Sequence, residues 1–160
     1  MKQISILLLG FIIFTSLSFG QSNNMRTLSS LINKNDPGWP LVEQWINEGK
    51  NKVEILPKSN QKADSALYFT QVTTRSSLGA IVYETGGLLI DNGWLRILGS
   101  GDKKLDRSIM DWNKGKSFAK IGEPPSFLLI ADDVIGGFFA INSGAFGEKD
   151  LGKVFYSITF

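Results

Sequence analysis

The amino-acid sequence predicts an α+β domain in which helices precede an antiparallel sheet. Apolar residues recur at helical spacing in the first half of the chain, whereas from residue 88 onward they form short strand-like runs. An Asn92-Gly93 pair between two of these runs is typical of a tight hairpin turn. Helices followed by a series of strands are characteristic of the α+β class. The 160 residues, 42% hydrophobic and 20% charged, match an ordinary globular domain.

The first twenty residues have the organisation of a secretory signal peptide. Lys2 supplies a positive charge, residues 4–14 are uncharged and apolar, and small residues precede an expected cleavage between Gly20 and Gln21. An uncleaved membrane anchor is the alternative, but the apolar run is shorter than the ~20 residues of a spanning helix. We expect export to the periplasm or the extracellular space, with no stable membrane insertion after cleavage.

The remainder is expected to hold a polar lead, residues 21–26, and a single domain, residues 27–160. The chain contains neither His nor Cys, which excludes Ser-His and Cys-His catalysis, haem held by His, zinc fingers and disulfide bonds. Its formal net charge of +2 gives no electrostatic reason to expect nucleic-acid binding. No cofactor and no metal ion are expected, since the spacing of an EF-hand does not occur.

Helical periodicity predicts the first elements. A short helix follows Thr27, and a longer one covers residues 37–48, opened by Asp36-Pro37 and ended near Gly49. The spacing of four apolar residues places them on one face of the longer helix: Leu41, Val42, Trp45 and Ile46.

A short strand over residues 53–56 and a helix over residues 60–71 are predicted next. The segment that follows is open to two interpretations. Its β-branched residues favour a strand, whereas Ser77 can cap a helix and Gly86 can end one. We favour a short helix over residues 78–85.

The second half is predicted to form the antiparallel sheet. Its strands cover residues 88–91, 94–98, 127–131, 138–142 and 154–160, with a type I′ turn at Asn92-Gly93. Residues 102–125 form a polar segment with a local apolar cluster at Ile109, Met110 and Trp112. The last strand runs to Phe160 without a polar tail. Either a covered sheet edge or a chain that is shorter than its domain would explain that feature.

Two adjacent carboxylates, Asp132 and Asp133, precede Gly136-Gly137 in the predicted loop over residues 132–137. In one interpretation they bond to the backbone of a turn, as Asp side chains commonly do. In the other, one of them acts as a general acid or base with Asp91 or Glu84. The pattern favours the turn, since two catalytic carboxylates need a separation that sequence does not specify.

Trp94 and Arg96 alternate on the first hairpin, so they share one face with Leu98 unless a bulge intervenes. An aromatic ring beside an Arg is common at recognition surfaces. The pair fits equally a Trp in the core with the Arg at its margin. The Gly-rich segments lack the spacing of a phosphate-binding loop, and we expect them to turn strands.

Three blocks of the sequence carry a resemblance to a known family. They are DPGWPLVEQWI (36–46), TTRSSLGAIVYETGGLLIDNGWLRILGSG (73–101) and FLLIADDVIGGFFAINSGAFG (127–147). Over nearly all of residues 26–160 the chain resembles the bacterial family known as domain of unknown function 2625, which has no assigned activity. That family looks longer at its carboxyl end, and the resemblance implies that this chain lacks a further helical segment.

A second resemblance concerns FLLIADDVIGGFFAIN (127–142). This segment is similar to the strand, Asp/Gly turn and strand of the SUKH superfamily. Members of that superfamily are mostly α+β binding modules, and many are immunity proteins that neutralise toxins by docking. The similarity implies a SUKH-like arrangement of the helices and the sheet.

The sequence thus predicts an exported, non-catalytic, immunity-like binding module whose partner is another protein. No catalytic residue and no metal ligand are assigned. The candidate binding residues lie in two loops at one end of the sheet: Asp91, Trp94, Arg96, Asp132, Asp133, Gly136 and Gly137. The alternative is a hydrolase of cell-wall or surface glycans that uses the carboxylates named above.

Overall fold

The computed structural model describes residues 25–120 and 122–158. The predicted signal peptide, its cleavage site at Gly20 and Gln21 and most of the polar lead lie outside these residues. The elements, in chain order, are α1 (Leu28–Leu31), α2 (Trp39–Glu48), β1 (Val53–Leu56), α3 (Asn60–Thr70), α4 (Ser77–Glu84), β2 (Gly87–Ile90), β3 (Leu95–Leu98), α5 (Ile109–Asn113), β4 (Phe127–Asp133), β5 (Phe138–Asn142) and β6 (Val154–Ser157). A short 3₁₀ turn, Glu148–Asp150, precedes β6.

The six strands form one antiparallel sheet in the order β1-β2-β3-β4-β5-β6. Strands that follow one another in the sequence are therefore also neighbours in the sheet. This holds even where helices intervene, between β1 and β2 and between β3 and β4. This architecture confirms the predicted α+β class. Within the described residues, no helix combines the length and the apolar composition that crossing a membrane requires.

Helices α3, α4 and α5 cover one face of the sheet. Leu56 of β1 and Leu98 of β3 belong to one buried cluster with Ala66 of α3, Val82 of α4 and Ile109 of α5. Burying such aliphatic side chains contributes about 1.5–3 kcal/mol each, so this cluster is the main apolar link between the two layers. We call this side of the sheet the helix face and the opposite side the outer face.

The helix predicted over residues 37–48 begins two residues later, at Trp39. Asp36 does not cap it, because the Asp36 carboxylate forms an ion pair with Arg75 at 3.1 Å. The N-cap residue is Gly38, whose N–H donates to the carbonyl of Thr74 at 2.7 Å. A tertiary hydrogen bond thus fixes the helix start that local capping rules had placed earlier.

The apolar face predicted for α2 is only partly buried. Val42 is buried and Ile46 is half-buried, but Leu41 and Trp45 are exposed. The helix packs on α4 rather than on the sheet. Because α2 packs mainly on one helix, it buries a narrower strip of apolar side chains than a helix that covers a sheet would bury.

The ambiguous segment after α3 is a helix, as favoured above. Its N-cap is Ser76 rather than Ser77, because the Ser76 hydroxyl accepts from the N–H of Gly79 at 3.0 Å. The helix ends at Glu84 with Thr85 as its C-cap, and Gly86 then donates its N–H to the carbonyl of Leu56 in β1 at 3.0 Å.

Helix α5 lies in residues 102–125, the segment that was described above as polar and for which no helix was predicted. It begins with a capping box, in which the Ser108 hydroxyl accepts from the N–H of Asp111 while the Asp111 side chain accepts from the N–H of Ser108. The Ser-x-x-Asp spacing is a recognisable signal. The helix has only five residues, which is too short for apolar periodicity to reveal it.

The first hairpin is present, but its turn is centred one residue earlier than predicted. Asp91 and Asn92 have φ of 49° and 58°, as a type I′ turn requires, and the N–H of Gly93 donates to the carbonyl of Ile90 at 3.1 Å. Asp91 is held there because its carboxylate accepts from the N–H of Lys52 at 3.0 Å. As a result Trp94 lies in the loop and not in the strand with Arg96.

Strand β4 is two residues longer than predicted, so Asp132 and Asp133 belong to a strand and not to a loop. Their backbone pairs with β3, since Asp133 lies opposite Leu95 and Asp132 lies opposite Arg96. Strand propensity disfavours Asp, and here the cross-strand partner decides the outcome.

Two buried side-chain amides fasten the end of the sheet that lies opposite Asp132 and Asp133. We call it the amide end. The Asn113 side chain accepts from the N–H of Leu129 and donates to its carbonyl, each at 2.8 Å, where β4 has no partner residue on β3. Asn142 accepts from the N–H groups of Gly144 and Phe146 at 2.9 and 3.0 Å. Both amides are at most 1% exposed.

Candidate functional site

The two loops predicted to carry the site lie together. Because β3 and β4 are antiparallel neighbours, the loop before β3 (residues 91–94) and the loop after β4 (residues 134–137) meet at one end of the sheet. The N–H of Val134 donates to the carbonyl of Trp94 at 3.0 Å and joins the two loops directly. We call this region the loop end.

Asp132 is the centre of an ion-pair network on the helix face. Its two carboxylate oxygens accept from Arg96 on β3 and from Arg107 in the segment before α5, the latter at 2.5 Å. Arg96 also donates to the backbone carbonyl of Asp133 at 2.6 Å. The Asp132 side chain is 4% exposed. The sequence separates these residues by 25 to 37 positions, and the sheet brings them together.

The guanidinium of Arg107 is also held by an aromatic ring. It lies 4.1 Å from the centre of the Trp112 ring of α5, and that ring contacts Phe138 of β5. A cation over an indole face is an attractive arrangement. The Asp132 network therefore fixes α5 to the sheet.

Asp133 points to the outer face and closes the second loop. Its carboxylate accepts from the N–H groups of Ile135 and Gly137 at 3.1 and 2.8 Å, and from the hydroxyl of Tyr156 on β6 at 2.9 Å. Asp133 thus bonds to the backbone of a turn, as one of the two interpretations of the acidic pair predicted, although it lies at the end of a strand.

The surroundings of Asp133 lower its pKa. Burial by itself raises the pKa of this carboxyl, but the hydrogen bonds from Gly137, Tyr156 and Ile135, together with the charge of Arg96, stabilise the ionised form and outweigh burial. In turn the hydrogen bond to Asp133, desolvation and the nearby negative charge raise the pKa of Tyr156. A general acid needs the opposite shift, so Asp133 is set up to stay ionised.

The two glycines of the second loop have structural reasons to be glycine. Gly136 has φ of 90°, a conformation that other residues rarely adopt. At Gly137 a Cβ atom would overlap the ring of Tyr156. Neither position shows the row of free N–H groups that a phosphate cradle needs, since the Gly137 N–H is bonded to Asp133.

Three large apolar side chains are exposed at the loop end: Trp94, Val134 and Ile135 at 55, 49 and 66%. They belong to the two loops that the Val134–Trp94 hydrogen bond joins. Val134 and Ile135 were not singled out from the sequence. The signal that reveals them is their position between Asp133 and Gly136 in a turn, where polar residues are usual.

The other two carboxylates of the hydrolase alternative also have partners. Asp91 accepts from the amide of Asn51 at 2.6 Å besides the N–H of Lys52. Glu84 forms an ion pair at 3.2 Å with Lys58. Among residues 25–120 and 122–158, no three acidic side chains gather closely enough to hold a metal ion.

A cleft of about 530 Å³ lies between α3 and the segment that leads into α5. Its lining holds three cationic side chains and three carboxylates: Lys62, Lys103, Arg107, Asp102, Asp106 and Asp111. The charges balance, so the cleft selects neither anions nor cations by charge alone.

Comparisons with known proteins give the chain a family. A family model described as "Protein of unknown function DUF2625" matches residues 28–159. An uncharacterized protein of Haemophilus influenzae (strain ATCC 51907 / DSM 11121 / KW20 / Rd) is 48% identical over 132 residues, which are 82% of this chain and 58% of that protein. The putative uncharacterized protein YbfG of Escherichia coli (strain K12) is 46% identical over 132 residues, 82% of this chain and 59% of that protein.

These matches also set limits. The chain spans about three fifths of the length of the two curated relatives. No solved structure matches it, so the similarity to the SUKH superfamily stays a prediction. The family match covers every described element from α1 to β6, and the chain belongs to the DUF2625 family of proteins of unknown function.

Proposed function

We propose that this chain is an exported, non-catalytic module that binds another protein through the loop end of its sheet. The observation that carries the proposal is the exposed apolar group Trp94, Val134 and Ile135 on two joined loops. Large apolar side chains exposed together on neighbouring loops are typical of interaction sites. The signal-peptide pattern of residues 1–20 supports export.

The region beneath the loops favours tight binding because it is already ordered. The Asp132 ion pairs hold β3, β4 and Arg107 together, and Asp133 closes the second loop through three hydrogen bonds. A pre-organised surface loses less conformational entropy when it binds. Trp and Arg are also the residues that most often dominate binding energy at protein interfaces. We expect the partner to offer an apolar depression that receives the Trp94 indole.

The same geometry gives the hydrolase alternative no support. Asp132 is engaged by two guanidinium groups, and the pKa of Asp133 is lowered, not raised as a general acid requires. Asp91 and Glu84 bond to neighbouring side chains or backbone. The immunity-like character of the module is supported by the similarity of residues 127–142 to the SUKH superfamily.

The experiment is in-cell photo-crosslinking from two matched positions. A photoreactive phenylalanine analogue replaces Trp94 in one variant and Trp45 in the other, since these side chains are 55 and 53% exposed on different parts of the molecule. We expect a discrete adduct with one protein from position 94 and not from position 45. The purified partner should then lose about tenfold or more in affinity for Trp94→Ala, the scale of a hot-spot residue, and retain it for Trp45→Ala.

Two outcomes would contradict the proposal. One is the same adducts from both positions, which would mean non-specific contact. The other is a captured protein whose affinity is unchanged by Trp94→Ala. Circular dichroism of both alanine variants checks that the fold is intact.

A further inference from the structure

The outer face of the sheet carries an apolar or aromatic side chain on each of its six strands. Strand register aligns one row of side chains on this face, from β1 to β6: Ile55, Leu88, Ile97, Ala131, Phe139 and Tyr156. The neighbouring row points to the helix face, where Arg96, Asp132 and Phe138 meet Arg107 and Trp112. Side chains of paired residues share a face, so the first row lies on the side away from the helices.

More apolar residues extend this row in both directions. Val53, Ile90 and Leu95 are aligned on one side of it, in a row that ends at Asp133, whose carboxylate accepts from Tyr156. Ile141 and Val154 are aligned on the other side. An antiparallel sheet with one solvated face normally alternates between apolar and polar residues, whereas strands buried on both faces read as continuous apolar runs. Segments such as GLLI in β2 and FFAI in β5 follow the second pattern.

The margins of the outer face are open to solvent. Ile55 on β1 is 44% exposed, and Val154 and Tyr156 on β6 are 55 and 47% exposed. Leu88 and Ala131, near the centre of the row, are buried. No described helix makes its main contacts with this face, because the sheet contacts of α4 and α5 belong to the buried cluster on the other side. The pattern is that of an interface whose second layer is absent from the described residues.

We propose that the outer face is an internal interface, covered in longer members of the family by polypeptide that lies outside the matched 132 residues. About two fifths of each curated relative lies outside that segment, which is ample for a second layer. The sheet itself falls inside the matched segment, so the relatives are expected to have the same apolar face. This proposal is independent of the loop end and of its partner.

A covalently attached segment is favoured over a second copy of the chain. A segment on the same polypeptide acts at an effective concentration in the millimolar range, which a dimer reaches only at very high protein concentration. A dimer through the outer face is therefore the competing outcome of the test.

The test uses thiol labelling, which is clean because the chain has no Cys. Ile55→Cys and Val154→Cys report on the outer face, and Leu41→Cys on α2, 46% exposed, is the matched control. Each variant is made in the 160-residue chain and in a fusion that adds the unmatched polypeptide of the Haemophilus influenzae relative, joined on the side where that relative carries it. We expect labelling at positions 55 and 154 to slow about tenfold or more in the fusion, with position 41 unchanged.

Equal labelling rates in the two proteins would overturn the proposal. So would slow labelling at position 55 in the 160-residue chain alone together with a dimeric mass in ultracentrifugation, since a second copy would then cover the face. A fusion that fails to fold is replaced by the full-length relative, compared with this chain by hydroxyl-radical footprinting. Protection of its β1 and β6 segments supports the proposal, and oxidation as fast as in this chain contradicts it.

Discussion

The two ends of the sheet are fastened by different chemistry. At the loop end, Asp132 and Asp133 bind two guanidinium groups, backbone N–H groups and a tyrosine hydroxyl. At the amide end, the neutral side chain of Asn113 takes the place of a missing strand partner of Leu129, and that of Asn142 bonds to the backbone of the loop after β5. Charged groups make a junction that responds to salt and pH, whereas amides do not titrate. The exposed apolar group of Trp94, Val134 and Ile135 lies on the charged junction, where the carboxylates hold two loops in place.

The largest expected effect is at the centre of the loop end. Asp132→Asn removes the charge between two largely buried guanidinium groups, and breaking such a pair destabilises by about 3 kcal/mol. Asp36→Asn is the control, because the Asp36–Arg75 pair is 70% exposed on both sides and should contribute under about 1 kcal/mol. Urea unfolding measures both. Equal, small losses for the two variants would show that the Asp132 network does not hold the sheet.

A smaller loss is expected at the amide end. Asn113→Ala leaves the N–H and the carbonyl of Leu129 buried without their partner, at a cost of about 2 kcal/mol. This loss should be the same at low and high salt, whereas that of Asp132→Asn should shrink in concentrated salt. Unfolding in about 0.05 M and about 1 M NaCl separates the two. A salt-dependent loss at Asn113 would remove the distinction between the ends.

A third effect depends on pH. The folded pKa of Asp133 is below that of the unfolded chain, about 3.9, so its contribution is present above that pH and is lost as pH falls through the folded value. The raised pKa of Tyr156 has the opposite sense, with stability present below about pH 10 and lost as pH rises through the raised value. Asp133→Asn should therefore destabilise at neutral pH, and its difference from the unmodified chain should vanish in acid. A constant difference across this range would be contrary to the account.

Much of the fold could be predicted from local patterns, and the exceptions have a common cause. The Asn-Gly hairpin and helices α3 and α4 follow from spacing and caps. Asp36 failed as a cap because it pairs with Arg75, 39 positions away. The turn of the hairpin moved because Asp91 bonds to the N–H of Lys52. In each case a long-range contact overruled a local preference.

The candidate site was likewise predictable in part from the sequence. The two loops follow from strand order, since neighbouring antiparallel strands bring their loops to one end. The roles of Asp132 and Asp133 cannot be predicted from strand order, because a strand turns consecutive side chains to opposite faces. One of them meets Arg96 and Arg107 on the helix face, and the other meets Tyr156 on the outer face. A linear pattern of two acids contains no information about those partners.

The most direct test of the central claim, that hydrogen bonds and ion pairs to these carboxylates fasten the loops, is a carbon-13 NMR titration of the Asp133 carboxyl. The account predicts a midpoint below about 3.9, rising when Tyr156→Phe removes one donor and unchanged in the control Tyr68→Phe. A midpoint well above the ordinary value for Asp would mean that burial outweighs the hydrogen bonds. That result would contradict the account and would favour the hydrolase alternative, in which Asp133 acts as a general acid.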